Sequence, residues 1–222
     1  MFIDFTPRDY KDIVLSPRSQ QELDDIINNT NPFPRHGVSG LVLYGPNGTG
    51  KSALAKLLPN PIEQARFQQN VFSPRHEIVM AGNNGASLIQ SLWETATNVS
   101  LNWGLQYIIL DEVDLLGEGA MKSLKGVMDT KNVVFIMTTN NVSAIESGVA
   151  DRSHFIDMTA PPPSCWLPRC YRVFNAYRVA KLPANYHLLQ MIEKCNGSAR
   201  KIITQMEMLA QTLPKLPAPT TP

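Results

Sequence analysis

With 222 residues, the chain has room for one ordinary α/β domain and a small appendage. Its 43% hydrophobic and 18% charged residues fit a globular protein in water, and no apolar run approaches the roughly 20 residues of a membrane span. A formal net charge of +1 excludes a strongly basic nucleic-acid glove and a membrane-seeking surface, while leaving room for DNA contact through one local face.

Taken in chain order, Phe2–Tyr10 reads as extended, and a first helix is predicted over Gln20–Asn28 with start signals at Ser16-Pro17 and Ser19. Asn31-Pro32-Phe33-Pro34 breaks it, and Gly40–Gly45 reads as a buried strand ending at a glycine. Lys51–Leu58 has helical composition, which Pro59 and Pro61 are expected to terminate. Glu77–Met80 is a strand candidate followed by a polar turn at 82–85. Ser87–Val99 carries apolar residues at 88, 89, 92, 93 and 96, a helical spacing that puts Trp93 in the core stripe. Tyr107–Leu110 is an apolar strand running into Asp111-Glu112. Gly119–Asp129 is a helix with Met121, Leu124 and Met128 on one face, and Val133–Met137 is another buried strand. Continuous apolar strands alternating with helices predict a mainly parallel sheet covered on both faces.

Pro161–Pro163 marks a boundary, since three prolines continue neither a helix nor a central strand. Helical stretches near 165–180, 185–195 and 198–211 predict a small helical lid. Leu213–Pro222 holds four prolines in ten residues and reads as a disordered tail or linker. The organisation expected is a nucleotide-binding domain over 1–160, a lid over 161–212 and the tail over 213–222. Cys165, Cys170 and Cys195 are odd in number and lack metal-ligand spacing, so they read as buried or partly buried thiols. The opening Met1-Phe2-Ile3-Asp4 lacks a signal peptide's basic start and apolar core, and a cytoplasmic location is expected.

Gly45-Pro46-Asn47-Gly48-Thr49-Gly50-Lys51-Ser52 fits the phosphate-binding pattern G-x-x-x-x-G-K-[ST], after a strand and before a helix. Its glycines let backbone N–H groups turn towards phosphate oxygens, and the following helix, with Ala53 in its first turn, aims its positive dipole end at the anion. Lys51 is the group to reach the β- and γ-phosphates, and Ser52 the hydroxyl to ligate Mg²⁺. The strand Tyr107–Leu110 delivers Asp111 to position Mg²⁺ and Glu112 to activate the attacking water as general base. The neighbouring Asp114 reads as a helix-start or solvent-facing carboxylate.

The segment Thr138-Thr139-Asn140, followed twelve residues later by Asp151-Arg152-Ser153, resembles the AAA+ ATPases, most closely the small subunits of sliding-clamp loaders such as replication factor C. Phe5–Val14 is similar to the clamp-loader opening, Asp111–Leu116 with Ala120–Met128 to its Walker B strand and next helix, and Gly197–Lys201 to its sensor-2 motif. The resemblance covers roughly residues 5–210, with no counterpart of the family's collar domain before Pro222. At the family's Ser-Arg-Cys segment this sequence keeps the arginine, with Asp151 before it and Ser153-His154 after it. The fold implied is α/β, a P-loop NTPase of the AAA+ type: a mainly parallel five-stranded sheet flanked by helices, then a small three-helix lid.

The resemblance further implies ATP and Mg²⁺ as cofactors and assembly into a homo- or hetero-oligomeric ring or arc. Primer–template DNA and a sliding clamp or other replication protein would be its partners. Asn140 would orient the lytic water or sense the γ-phosphate, with Asn141 as rival; Arg152 would act in trans on a neighbour's ATP; Arg200 would contact the γ-phosphate from the lid. Tyr10, Ile13 and Val14 are the adenine-side candidates, or else they pack the N-terminal segment on the domain. The basic residues Arg66, Arg75, His76, Lys122, Lys125 and Lys131 are scattered, though Lys122 and Lys125 share a helix face suited to a phosphate backbone. Trp93 and Trp103 are stacking candidates for bases. Two alternatives stay open: another DNA-associated AAA+ ATPase, such as a helicase loader or transposition regulator, and a non-hydrolysing interaction subunit stabilised by nucleotide.

Overall fold

The computed structural model describes residues 3–68, 76–80, 85–97 and 104–217. Trp103, Arg75, the turn at 82–84 and residues 218–222 lie outside them. Ser16 opens the first helix, α1 (Pro17–Ile27): its hydroxyl accepts from the Ser19 N–H, and Pro17 takes a first-turn place where no N–H is needed. There follow β1 (Gly40–Tyr44), α2 (Lys51–Leu57) and α3 (Pro59–Phe67). The expected stop at Pro59 is thus also a start. Proline cannot continue α2, but its fixed φ suits the first turn of a new helix. The chain continues as β2 (His76–Met80), α4 (Gly85–Thr97), β3 (Gln106–Asp111), α5 (Glu118–Met128), β4 (Val133–Thr139), α6 (Ser147–Ala150) and β5 (Ser153–Asp157). The lid supplies α7 (Leu167–Ala176), α8 (Asn185–Glu193) and α9 (Ala199–Thr212).

Among the described residues five strands form one sheet in the order β2-β3-β4-β1-β5, and every neighbouring pair is parallel. Successive side chains of β1 face opposite sides. Leu41 and Leu43 join Leu23, Leu54 and Ile62 under α1–α3, whereas Val42 joins Leu92, Leu124 and Val127 under α4 and α5. Burial on both faces is why β1 and β4 read as unbroken apolar runs. The edge strand β5 is half-exposed along most of its length, which left no apolar run for the sequence to display. A third core, built on Trp166, Phe174, Leu188, Ile202 and Met206, holds the lid together, and Phe5 and Val14 of the N-terminal segment pack against it.

Two sequence expectations change here. Trp93 is 47% exposed, while Leu92 and Ala96 of the same helix are buried, so the core stripe of α4 runs beside the indole and not through it. The tail is ordered as far as it is described: Ala180 N–H donates to the Pro214 carbonyl at 2.8 Å and Leu216 N–H to the Arg178 carbonyl at 2.7 Å, pinning 213–217 to the lid. The three cysteines are free thiols, Cys170 and Cys195 buried in the lid core and Cys165 half-buried.

Candidate active site

A parallel sheet gathers its functional groups at the carboxyl ends of its strands, because every loop there opens on the same edge. At the end of β1, Gly48 and Gly50 adopt φ of 83° and 100°, left-handed values that side chains rarely take, and Gly50 caps α2. A Cβ on Gly48 would also lie 2.8 Å from the Ser198 hydroxyl of the lid. Lys51 is only 7% exposed, and its Nζ donates to the carbonyls of Gly45 and Pro46, each at 2.8 Å. Burial pushes its pKa below the ordinary lysine value, against the pull of the Asp111, Asp114 and Glu112 carboxylates. A buried ammonium of this kind gains from an anion brought into the loop.

Beside it, Ser52 Oγ donates to Asp111 Oδ1 at 2.7 Å. Thr138 Oγ1 donates to the same carboxylate oxygen at 2.6 Å and accepts the Glu112 N–H at 3.0 Å. Glu112 itself sits at φ 57° and ψ 50°, a left-handed conformation that costs a residue with a Cβ about 1–2 kcal/mol. Asp114 lies in the first turn of a 3-10 helix (Val113–Leu115), as the helix-start reading expected, and from the end of β4 the Asn140 N–H reaches its Oδ1 at 3.4 Å, so it also ties the β3 and β4 loops together. Asn141 is engaged elsewhere: its Oδ1 accepts from the Ser143 N–H at 3.2 Å and hydroxyl at 2.6 Å, capping a 3-10 turn.

These groups open into a cleft of about 1020 Å³, walled by the N-terminal segment, the phosphate loop and the lid. Ile13, Val14, Asn47–Ala53, Glu112, Thr138, Asn140 and Arg200 all line it. Arg200 is exposed on the first turn of α9, and the preceding Ala199 N–H donates to the Gly48 carbonyl at 2.9 Å, so the lid is seated directly on the phosphate loop. Tyr10 departs from its expected place. It is buried in the core with Leu23 and Ile26 and is not among the residues lining the cleft. Its ring packs the N-terminal segment on the domain, the alternative left open above.

Sequence reasoning missed the hub of that segment. The Asp12 carboxylate accepts from Arg169 at 3.0 Å and Arg172 at 2.7 Å, both on α7, while Arg169 also donates to the Phe5 carbonyl at 2.8 Å. Thr138 was quoted only as part of a motif, although a threonine closing an apolar strand was a readable signal.

Arg152 stands apart. Its carbonyl accepts from the N–H groups of Ser39 at 3.1 Å and Gly40 at 2.9 Å, at the amino end of β1. The phosphate loop follows the carboxyl end, about 16 Å away over a strand rising ~3.3 Å per residue. Its guanidinium forks onto Asp129, Nε to Oδ1 at 2.8 Å and Nη2 to Oδ2 at 3.4 Å, and Nη1 donates to the Gly148 carbonyl at 3.1 Å. Of the basic residues, Arg66 turns inward onto the carbonyls of Phe33 and Ile26, which withdraws it from any DNA surface. Lys122 and Lys125 are exposed on α5, Lys122 paired with Glu118 at 2.5 Å.

The profile of the family described as "ATPase family associated with various cellular activities (AAA)" matches residues 41–158, more than half of the chain. The chain belongs to the AAA family of ATPases. This AAA chain is 23% identical over 216 residues to replication factor C small subunit 1 of Pyrobaculum arsenaticum, covering 95% of itself and 62% of that protein. It is also 23% identical over 224 residues to replication factor C subunit 5 of Saccharomyces cerevisiae, covering 86% of itself and 63% of the relative. It therefore spans about three-fifths of the length of these curated relatives. Among solved structures, the Thermotoga maritima RuvB Holliday junction branch migration motor shares the fold with a TM-score of 0.68 at 12% identity, over 93% of this chain and 65% of that one. Among the described residues no helix is long and apolar enough to cross a membrane.

Proposed function

We propose that this AAA chain hydrolyses ATP as a clamp-loader-like subunit of an oligomeric DNA-replication machine acting on primed DNA. The observation that carries the reading is the split of the site. Lys51 and Glu112 line one cleft, with Asp111 bonded to Ser52 and Thr138 of its wall, while Arg152 lies a full strand length away on the opposite edge of the sheet. An arginine finger there serves only a neighbour's nucleotide, so turnover depends on assembly. The similarity to replication factor C subunits across most of the chain supports the choice of machine.

The donor set fits ATP with Mg²⁺: a buried ammonium, a glycine-rich loop at a helix start, and a hydroxyl already bonded to a carboxylate. In this reading Lys51 binds the β- and γ-phosphates, Ser52 and Asp111 hold the metal, and Glu112 takes the proton of the attacking water. Mg²⁺ supplies charge neutralisation between phosphate oxygens when bound. Asn140 orients the water, Arg200 meets the γ-phosphate from the lid, and Ile13 and Val14 face the adenine. Lys122 and Lys125 would follow a phosphate backbone across several subunits.

The test is steady-state ATP hydrolysis, alone and with primer–template or blunt duplex, with Glu112→Gln as the inactive control. Stimulation by primed DNA over blunt duplex is the expected result. Hydrolysis indifferent to all DNA overturns the replication reading in favour of a helicase-loading or protein-remodelling role.

A further inference from the structure

The last apolar position of β4 is Met137; the strand then ends in two threonines that are 1% and 0% exposed. A buried hydroxyl must find partners or forfeit its hydration. Thr138 finds two: one on Asp111, which ends the neighbouring strand, and one on Glu112, which follows it. The polarity of this arrangement is set by chemistry. The Glu112 N–H can only donate, and an ionised carboxylate offers no proton, so the single hydroxyl proton goes to Asp111 and a lone pair takes the Glu112 amide. One group thus holds the side chain of one acidic residue and the backbone of the next.

Its own mounting is rigid. β4 lies between β3 and β1, and Thr138 pairs in register with Leu43 of the strand that leads into the phosphate loop. A β-branched side chain there has few rotamers. What it holds is a strained point, since Glu112 occupies the left-handed region and its N–H would otherwise lack this partner. Thr138 is also one of the residues lining the cleft, with Glu112 and Asn140.

We propose that Thr138 is a positioning residue for ATP hydrolysis: its hydroxyl clamps Asp111 Oδ1 and the Glu112 amide together, fixing the metal-side carboxylate and the general base in one geometry. This rests on the roles given to Asp111 and Glu112 under the proposed function. The clamp acts through those two residues and not by touching nucleotide. Removing it therefore impairs turnover and the metal-dependent part of nucleotide affinity, and spares metal-free binding.

The test compares Thr138→Val, which keeps the shape and deletes both hydrogen bonds, with Thr138→Ser, which keeps the hydroxyl. Purified full chain is assayed for kcat and KM and titrated with a fluorescent ATP analogue in EDTA and in Mg²⁺. The Val variant is expected to lose about 10–100-fold in kcat, with KM rising in step with the lost Mg²⁺-dependent affinity and EDTA affinity within about threefold of the parent. The gain in analogue affinity on adding Mg²⁺ should shrink by about tenfold, and Ser should restore both quantities to within a fewfold. Should Val yield no soluble protein, Thr138→Ala carries the same comparison. A folded Val or Ala variant with parental kcat and Mg²⁺ response overturns the clamp, as does a Ser variant as impaired as Val. Glu112→Gln, run alongside, separates the two ideas: full hydrolysis in that variant removes the base assignment itself, whereas its loss beside an unimpaired Thr138→Val removes only the clamp.

Discussion

Arg152 and Lys51 stand at opposite ends of the same strand: the Arg152 carbonyl accepts the Gly40 N–H where β1 begins, and Lys51 opens the helix that follows its end. The guanidinium rests meanwhile on Asp129, a pair whose side chains are 27% and 56% exposed. Ion pairs this open contribute about 0.2–1 kcal/mol, weak enough for a neighbour's phosphate to displace.

Arg152→Ala should accordingly abolish most turnover and leave nucleotide binding intact. An arginine finger is worth about 10³–10⁵ in rate, so a loss of at least ~10³ in kcat is expected, with Kd for a fluorescent ATP analogue unchanged. A matching fall in affinity would put Arg152 in its own site and defeat the trans role.

Asp12 joins the N-terminal segment to the lid, and the carboxylate is largely covered, with 20% of its side chain exposed against 12% for Arg169. Burial alone would raise its pKa, but the N–H groups of Arg8 and Asp9 and the guanidinium groups of Arg169 and Arg172 hold it below the usual carboxylate value. The depressed folded-state pKa makes its contribution complete above the ordinary aspartate range and lost as pH falls through the folded value. Asp12→Ala should cost about 1–3 kcal/mol at neutral pH, less than a fully buried pair because part of the carboxylate meets water. Denaturant titration should show that gap closing as pH falls below the ordinary aspartate value, and nucleotide affinity should fall as Ile13 and Val14 lose their anchor. A gap independent of pH would mean that packing, not charge, is what Asp12 supplies.

Tyr107 and Glu63 form a buried pair behind the sheet, the phenol donating to Glu63 Oε2 at 2.9 Å, with residues 0% and 1% exposed respectively. Burial raises the Glu63 pKa, and the hydrogen bonds from Tyr107 and the Leu105 N–H pull the other way. Tyr107→Phe keeps the ring and strips a donor from a buried carboxyl, so about 1–3 kcal/mol of stability should go. Chemical denaturation at neutral pH measures it; a change under about 0.5 kcal/mol would show that the carboxyl is already satisfied without the phenol.

His154 packs its ring 5.6 Å from Phe33 on the edge strand β5. Burial lowers its pKa from the ordinary 6.5, so below that value the unfolded chain takes up a proton that the folded chain resists. Its stabilising contribution is therefore present above 6.5 and lost as the medium is acidified through the window beneath it. His154→Leu should flatten the stability profile between about pH 7 and about pH 5. An unaltered acid slope in the variant would exclude His154 as its source.

How much of this was legible beforehand follows from how each feature is encoded. Gly45–Ser52 and Tyr107–Glu112 were readable because their chemistry is built from consecutive residues at a strand end. Helix α3 was missed because a proline read as a stop is also a permitted start, and β5 because a half-exposed edge strand has no apolar run. Tyr10 shows the opposite error: an aromatic ring near the cleft in sequence turned into the core, where burying it gains more than lining a wet opening. Asn140 and Asn141 were not separable by pattern; the cap made by Asn141 and the place of Asn140 on the cleft wall distinguish them.

By itself, then, the sequence determined the parallel α/β layout, the phosphate loop, the acidic pair and the three-helix lid, since each follows from local propensity, apolar period or a contiguous motif. Only the tertiary structure decided that Thr138 bridges Asp111 and Glu112, that Asp12 holds Arg169 and Arg172 across more than 150 residues, and that Arg152 faces away from Lys51. The physical reason is shared. Hydrogen bonds between polar groups distant in sequence leave no periodic trace along the chain, and their geometry exists only once strand order and helix packing have brought the elements together.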